Sequence, residues 1–242
     1  MRNARVAALV AVLAIGATTA LAENAPAPKR PSAQAPAQPP RPPISIAPPA
    51  AVAAPSQPGV FDDKQKALIA KVSNYLSSVQ TLVGDFVQVG PDGRRTEGQF
   101  FIQKPGKVRF EYNPPSPVEV IADGKSVVVR DRNLATQQLV PLSQTPLRFL
   151  LSDRIDLLKD TNVVSVSADD TFVTVVIEES QTLVGTSRLM MMLSAKDYQL
   201  RQWTVTDPQG YDTTVALYNL DLGKKLDPAM FVINYERKEI IQ

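Results

Sequence analysis

Two periodicities follow one another along the chain from residue 61. Between 61 and 80, Leu68, Val72, Tyr75, Leu76 and Val79 recur at helical spacing while Lys64, Lys66 and Lys71 fall off that stripe. This predicts one amphipathic helix, with Asp62 and Asp63 at the end where carboxylates suit the helix dipole. After Gln80 the pattern reads as strands, at about 81–89, 95–104, 107–112, 118–122, 126–131, 135–140, 161–168, 171–179, 187–194, 198–206 and 211–221. Pro91-Asp92-Gly93, Asp123-Gly124 and Asp169-Asp170 supply tight-turn chemistry, and Pro105-Gly106 supplies a further break. A meander of about 11 strands is long enough to curl into a barrel or half-barrel. One insertion interrupts it. Thr145 to Ser152 is short, apolar and helix-compatible, with Thr145 as N-cap and Pro146 at the first helical position, and Arg154 to Lys159 offers a second turn. Such a segment either caps the mouth of the curled sheet as a lid or fills its core as a plug.

Several strands depart from strict alternation. Val127 to Val129 are apolar in a row, as are Leu189 to Leu193, and Phe172, Val173, Val175, Val176 and Ile177 nearly so. Both faces of these strands must avoid water. One reading is an internal cavity on one face, with methionine suited to a flexible apolar ligand; the other is ordinary packing on both faces. On the cavity reading the lining includes Phe110, Tyr112, Met190, Met192 and Trp203, with 147–151 as a mobile lid.

The chain ahead of the helix has different chemistry. Arg2 and Arg5, the apolar run Val6 to Ile15 and the small-x-small site Ala20-Leu21-Ala22 form a secretory signal over 1–22, cleaved ahead of Glu23. The apolar run is short for a membrane span, although an uncleaved anchor is the other reading. Residues 23–60 form a Pro/Ala-rich disordered linker that cannot bury a core. It is either a spacer or a neutral tail, and folding should not need it. The third unit, 61–242, is the folded domain.

Composition narrows the chemistry. The chain has no cysteine, hence no disulfide and no lipid-bearing cysteine at the cleavage site. It also has no histidine, which removes the usual transition-metal ligands and the Ser-His and Cys-His nucleophile pairs. The acidic pairs Asp62-Asp63, Asp169-Asp170 and Glu178-Glu179 are adjacent residues and read as solvated turn charges. No cofactor or metal is expected, and an enzyme is not, a carboxylate-based hydrolase being a distant alternative. The precursor has 26 basic and 24 acidic side chains, but once Arg2, Arg5, Lys29, Arg30, Arg41 and Glu23 are set aside the domain keeps 21 and 23. A net charge near −2 argues against a nucleic-acid partner.

Over roughly 65–235 the chain resembles the periplasmic outer-membrane lipoprotein carrier family, LolA. The stretches that carry the resemblance are Leu76 to Leu82, Gly84-Asp85-Phe86-Val87-Gln88, the Gly98 to Tyr112 hairpin, Pro114-Pro115 with Val120 to Lys125, and the closing Leu226-Asp227-Pro228-Ala229-Met230-Phe231. The resemblance implies a mainly β fold: an incomplete antiparallel barrel with an N-terminal helix and a short helical lid. It implies a periplasmic, monomeric carrier whose cavity takes the acyl chains of lipoproteins. An inner-membrane ATP-driven extractor would load it, and an outer-membrane lipoprotein receptor would unload it. The absence of cysteine favours the carrier over the receptor. The acyl-binding residues so implied are Phe86, Val108, Phe110, Tyr112, Leu147, Phe149, Leu150, Leu151, Met190, Met192 and Trp203. The family's arginine before the proline, which holds the lid shut, is Lys104 here, and Val108 stands where an aromatic is frequent. On this reading Lys104 would latch carbonyls of the 147–152 segment. A carrier of another lipid on the same fold and a sensor of mislocalised lipoproteins are the alternatives.

Overall fold

The computed structural model describes residues 60–181 and 185–235; the expected signal and linker lie outside the described residues. Helix α1 covers Asp63–Ser78. Its start is a capping box: the Asp62 carboxylate accepts from the Gln65 N–H at 2.8 Å, and the Gln65 amide oxygen accepts from the Asp62 N–H at 3.0 Å. Eleven strands follow: β1 Thr81–Val89, β2 Arg95–Gln103, β3 Lys107–Tyr112, β4 Val118–Asp123, β5 Ser126–Asp131, β6 Thr136–Pro141, β7 Asn162–Ala168, β8 Phe172–Gln181, β9 Gly185–Ser194, β10 Leu200–Thr206 and β11 Asp212–Asp221. Between β6 and β7 lie a 3-10 turn at Leu142–Gln144 and the short helices α2, Leu147–Leu151, and α3, Leu157–Asp160. A last 3-10 turn spans Pro228–Phe231.

All 11 strands form one antiparallel sheet in the order β6-β5-β4-β3-β2-β1-β11-β10-β9-β8-β7. The pairing of β1 with β11 joins the two halves of the meander in the middle and leaves β6 and β7 as the free edges. The connection that carries α2 and α3 runs from one edge to the other. A single buried cluster includes Val127 and Val129 of β5, Phe86 of β1, Trp203 of β10 and Val163 of β7, together with α1, α2 and α3. Strands that far apart in the order share one core only if the sheet curls round it. Each large side chain buried there contributes about 1.5–3 kcal/mol.

The opposite face explains part of the doubled apolar pattern. After β11 the chain crosses the outer side of the first half of the sheet. Leu226 and Phe231 pack on Val83 and Phe101, and Ile233 packs on Ile121 and Val128. Polar ties hold the same segment: Arg109 Nη1 donates to the Met230 carbonyl at 3.0 Å and Gln137 Nε2 to that of Asn234 at 3.1 Å. Val127 and Val129 therefore face inward while Val128 between them faces this strap. The helical insertion starts one residue later than the sequence predicts. Pro146 is the N-cap, with no side-chain capping bond, because the Thr145 hydroxyl donates back to the Leu142 carbonyl at 2.9 Å instead.

Candidate functional site

The inner face is lined by aromatic side chains in mutual contact. Phe86 meets Phe110 edge-on with ring centroids 5.2 Å apart and Tyr112 at 5.0 Å, and Phe110 meets Trp203 at 6.2 Å. Phe86 is 0%, Phe110 1%, Trp203 1% and Tyr112 6% exposed, so in this closed form the protein's own side chains fill the interior. Gly98 shapes the wall. It is the cross-strand partner of Phe86, and a Cβ there would come within 2.8 Å of the Phe86 ring and 2.0 Å of the Glu111 carbonyl oxygen. Val108, at the expected position, is buried in the same core.

Alternation in β9 assigns its methionines differently from the expectation. Leu189, Met191 and Leu193 belong to the inner core, whereas Met190 and Met192 are on the other face, beside Thr204 and Gln202 of β10. Met190 and Met192 do not line the interior; Met191 does. The exposed Arg188, even-numbered like them, is the signal that could have set this register.

Helix α2 covers the end of the core at the β2–β3 turn. Leu147, Phe149, Leu150 and Leu151 are all buried in it. Three contacts fix this short helix from outside. The Leu151 carbonyl accepts from the Gly106 N–H at 2.8 Å. Arg148 Nη1 donates to the Ser143 carbonyl at 2.8 Å and pairs with Glu179 of β8 at 2.5 Å. The Arg148 guanidinium also lies 4.2 Å from the centre of the Phe149 ring. Helix α3 joins α1 through Ser73, whose hydroxyl accepts from the Leu157 N–H at 3.1 Å.

Lys104 is buried and acts on a different element from the one expected. Its ammonium donates to the Leu76 carbonyl in the last turn of α1, not to the 147–152 segment. The backbone N–H of Gly106, two residues on, donates to the Leu151 carbonyl, one of the carbonyls of the 147–152 segment, where Lys104 was expected to act. Burial lowers the Lys104 pKa from 10.5 to about 8, with nearby Asp153 opposing the shift. An open cleft of about 690 Å³ at this end is lined by Asn74, Ser77, Gln80, Asp153, Arg154 and Asp156 among others. Its polar walls do not suit acyl chains, and the apolar interior lies behind it.

A few polar groups are sealed inside, and sequence reasoning missed them. The Tyr112 hydroxyl donates to Gln88 Oε1 at 2.6 Å, and burial raises the Tyr112 pKa, so the phenol stays a neutral donor. Trp203 Nε1 and Thr213 Oγ1 are buried with no hydrogen-bond partner among the described residues. Leaving such groups unpaired costs about 1–3 kcal/mol each. Among the described residues no group of three or more acidic side chains is placed to hold a metal.

The chain is thus a mainly β protein, one curled antiparallel sheet closed over an apolar interior capped by short helices. The profile of one family, the outer membrane lipoprotein carrier protein LolA, matches residues 77–234, and the chain belongs to that family. An outer-membrane lipoprotein carrier protein of Chromobacterium violaceum is 26% identical over 181 residues, 72% of this chain and 86% of that protein. One of Methylococcus capsulatus is 25% identical over 171 residues, 67% of this chain and 81% of that protein. An uncharacterized protein of Rickettsia prowazekii is 30% identical over 92 residues, 38% of this chain, and the match spans 43% of that protein. Among solved structures, a putative outer membrane lipoprotein-sorting protein domain of Vibrio parahaemolyticus aligns at a TM-score of 0.44 and 7% identity, over 70% of this chain and 96% of that one. That distance is too great to bear on function.

Proposed function

We propose that this protein is a periplasmic carrier that encloses the acyl chains of lipoproteins and moves them from the inner to the outer membrane. The observation that carries the reading is the inner face: one continuous apolar core, from β5 round to β7, closed by three helices. Moving acyl methylenes into water costs about 0.8 kcal/mol each, so three chains of roughly 15 methylenes cost on the order of 36 kcal/mol. A guest of that kind crosses an aqueous space only when covered. The interior is filled in the closed form, so loading must displace α2 and spread the aromatic side chains. Release is then driven by their return to contact. The donor is an ATP-driven extractor in the inner membrane and the acceptor a lipoprotein receptor in the outer membrane. No step needs catalysis.

Reconstituted transfer tests this. Inner-membrane vesicles holding a radiolabelled lipoprotein and the extractor are supplied with ATP and the mature protein. The soluble fraction should gain a one-to-one lipoprotein complex, which outer-membrane vesicles then deplete. Release that does not depend on the protein refutes the proposal. If the protein takes up a glycolipid and no lipoprotein, it carries another lipid on the same fold.

A further inference from the structure

Of the sealed polar groups, those of Gln88, Tyr112, Trp203 and Thr213 lie in one region of the inner face, whereas Tyr75 Oη is buried on α1. Trp203 on β10 is the cross-strand partner of Val215 on β11, and Val215 is in turn the partner of Gln88 on β1. Thr213 is two residues along β11, on the same face, opposite Val205. Tyr112, the last residue of β3, reaches Gln88 from the other side. This group sits at the end of the strands that carries the Gly90–Arg94 and Asp207–Tyr211 hairpins. Lys104, Gly106 and α2 are at the opposite end.

The chemistry of the group is selective. Trp203 can only donate, and Thr213 can donate through its hydroxyl; each is 1% exposed and neither is paired among the described residues. The Tyr112 proton is already given to Gln88. Two open donors on an apolar wall fit an uncharged acceptor that brings no donor of its own. A carboxylate would enter without a counter-charge.

We propose that Trp203 Nε1 and Thr213 Oγ1 bind the carbonyl oxygen of an acyl ester. The ester linkages of the guest would then sit at the hairpin end while its chains run toward α2. This rests on the carrier reading and adds to it the orientation of the guest.

The test uses the mature protein with two probes of equal chain length, 1,2-dipalmitoylglycerol and its diether analogue 1,2-dihexadecylglycerol. The chain has one tryptophan, so a ¹⁵N-labelled sample shows a single indole N–H resonance. That resonance should move downfield with the diester and not with the diether. The diester should bind more tightly, by roughly two- to tenfold for each hydrogen bond made. Thr213→Val and Trp203→Phe should each reduce that preference, and Thr213→Val should leave the free protein at least as stable as before, because its buried hydroxyl has no partner to lose. Equal affinity for the two probes, or a preference that survives both substitutions, overturns the ester site while leaving the carrier intact. Failure to bind either probe overturns the carrier reading and this inference with it.

Discussion

Replacing Lys104 by leucine should leave the protein almost as stable at neutral pH. The ammonium donates to the Leu76 carbonyl near the C-terminus of α1, where the helix dipole also favours a cation. A charge-assisted bond of this kind contributes about 1.5–3 kcal/mol. Burial works against it. Lowering the pKa from 10.5 to about 8 corresponds to about 3 kcal/mol against the charged form. The two effects are of similar size, so Lys104→Leu should change the unfolding free energy at pH 7 by less than about 1.5 kcal/mol. The pH profile gives the sharper test. Between pH 8 and 10.5 the folded side chain loses its proton while the unfolded one keeps it, so the unfolded state binds more protons and stability rises with pH. From pH 8 to 9.5 the parent should gain about 2 kcal/mol relative to the variant. Urea unfolding of both proteins at pH 7, 8.5 and 9.5 measures this. Taking the difference between them removes Tyr75 and Tyr112, whose raised pKa values act in both. Parallel profiles, or a loss above about 3 kcal/mol at pH 7, would refute the reasoning.

Other substitutions probe the remaining parts. Leu150→Ala removes a side chain that is 5% exposed; if α2 is a fixed plug the cost is about 2–5 kcal/mol by urea unfolding, and if α2 opens as a lid it is under about 1 kcal/mol. Glu179→Gln weakens the partly buried pair with Arg148 and should lower stability by about 1 kcal/mol while speeding hydrogen exchange in 147–151; unchanged exchange there would mean the pair does not hold α2. Gly98→Ala places a methyl 2.0 Å from the Glu111 carbonyl oxygen, so a drop of at least about 3 kcal/mol is expected, and a neutral result would show that the wall at Phe86 yields easily. Deleting 23–60 should leave the thermal midpoint within about two degrees, as expected of a segment with no core to offer; a larger fall would show that it docks on the domain.

The strands were legible because turn chemistry and β-branched runs are local. β1, β3 and β5 occupy the predicted spans, and the other strands differ by one or two residues at their ends. The helix start at Asp62 was legible for the same reason, since a capping box lies within four residues. What escaped depends on contacts far apart in sequence. The second apolar face of β4 and β5 answers to Ile233, more than 100 residues away, which no periodicity reveals. Lys104 lies 28 residues from its acceptor, and its partner changed because Gly106 already satisfies Leu151. In β9 five apolar residues in a row carry no alternation of their own, so the face of Met190 and Met192 had to come from flanking Arg188 or from pairing with β10. The Trp203 and Thr213 donors were invisible because a tryptophan or threonine in a strand reads the same whether or not its polar atom finds a partner.

Native mass spectrometry of the protein isolated from periplasm, without detergent, addresses the carrier proposal most directly. The account predicts two populations: the mature chain from Glu23 alone, and the same chain with one lipoprotein, which collisional activation releases as a species bearing acyl chains. A protein that is always empty when the extractor is active, or one that carries only a free lipid, would contradict it.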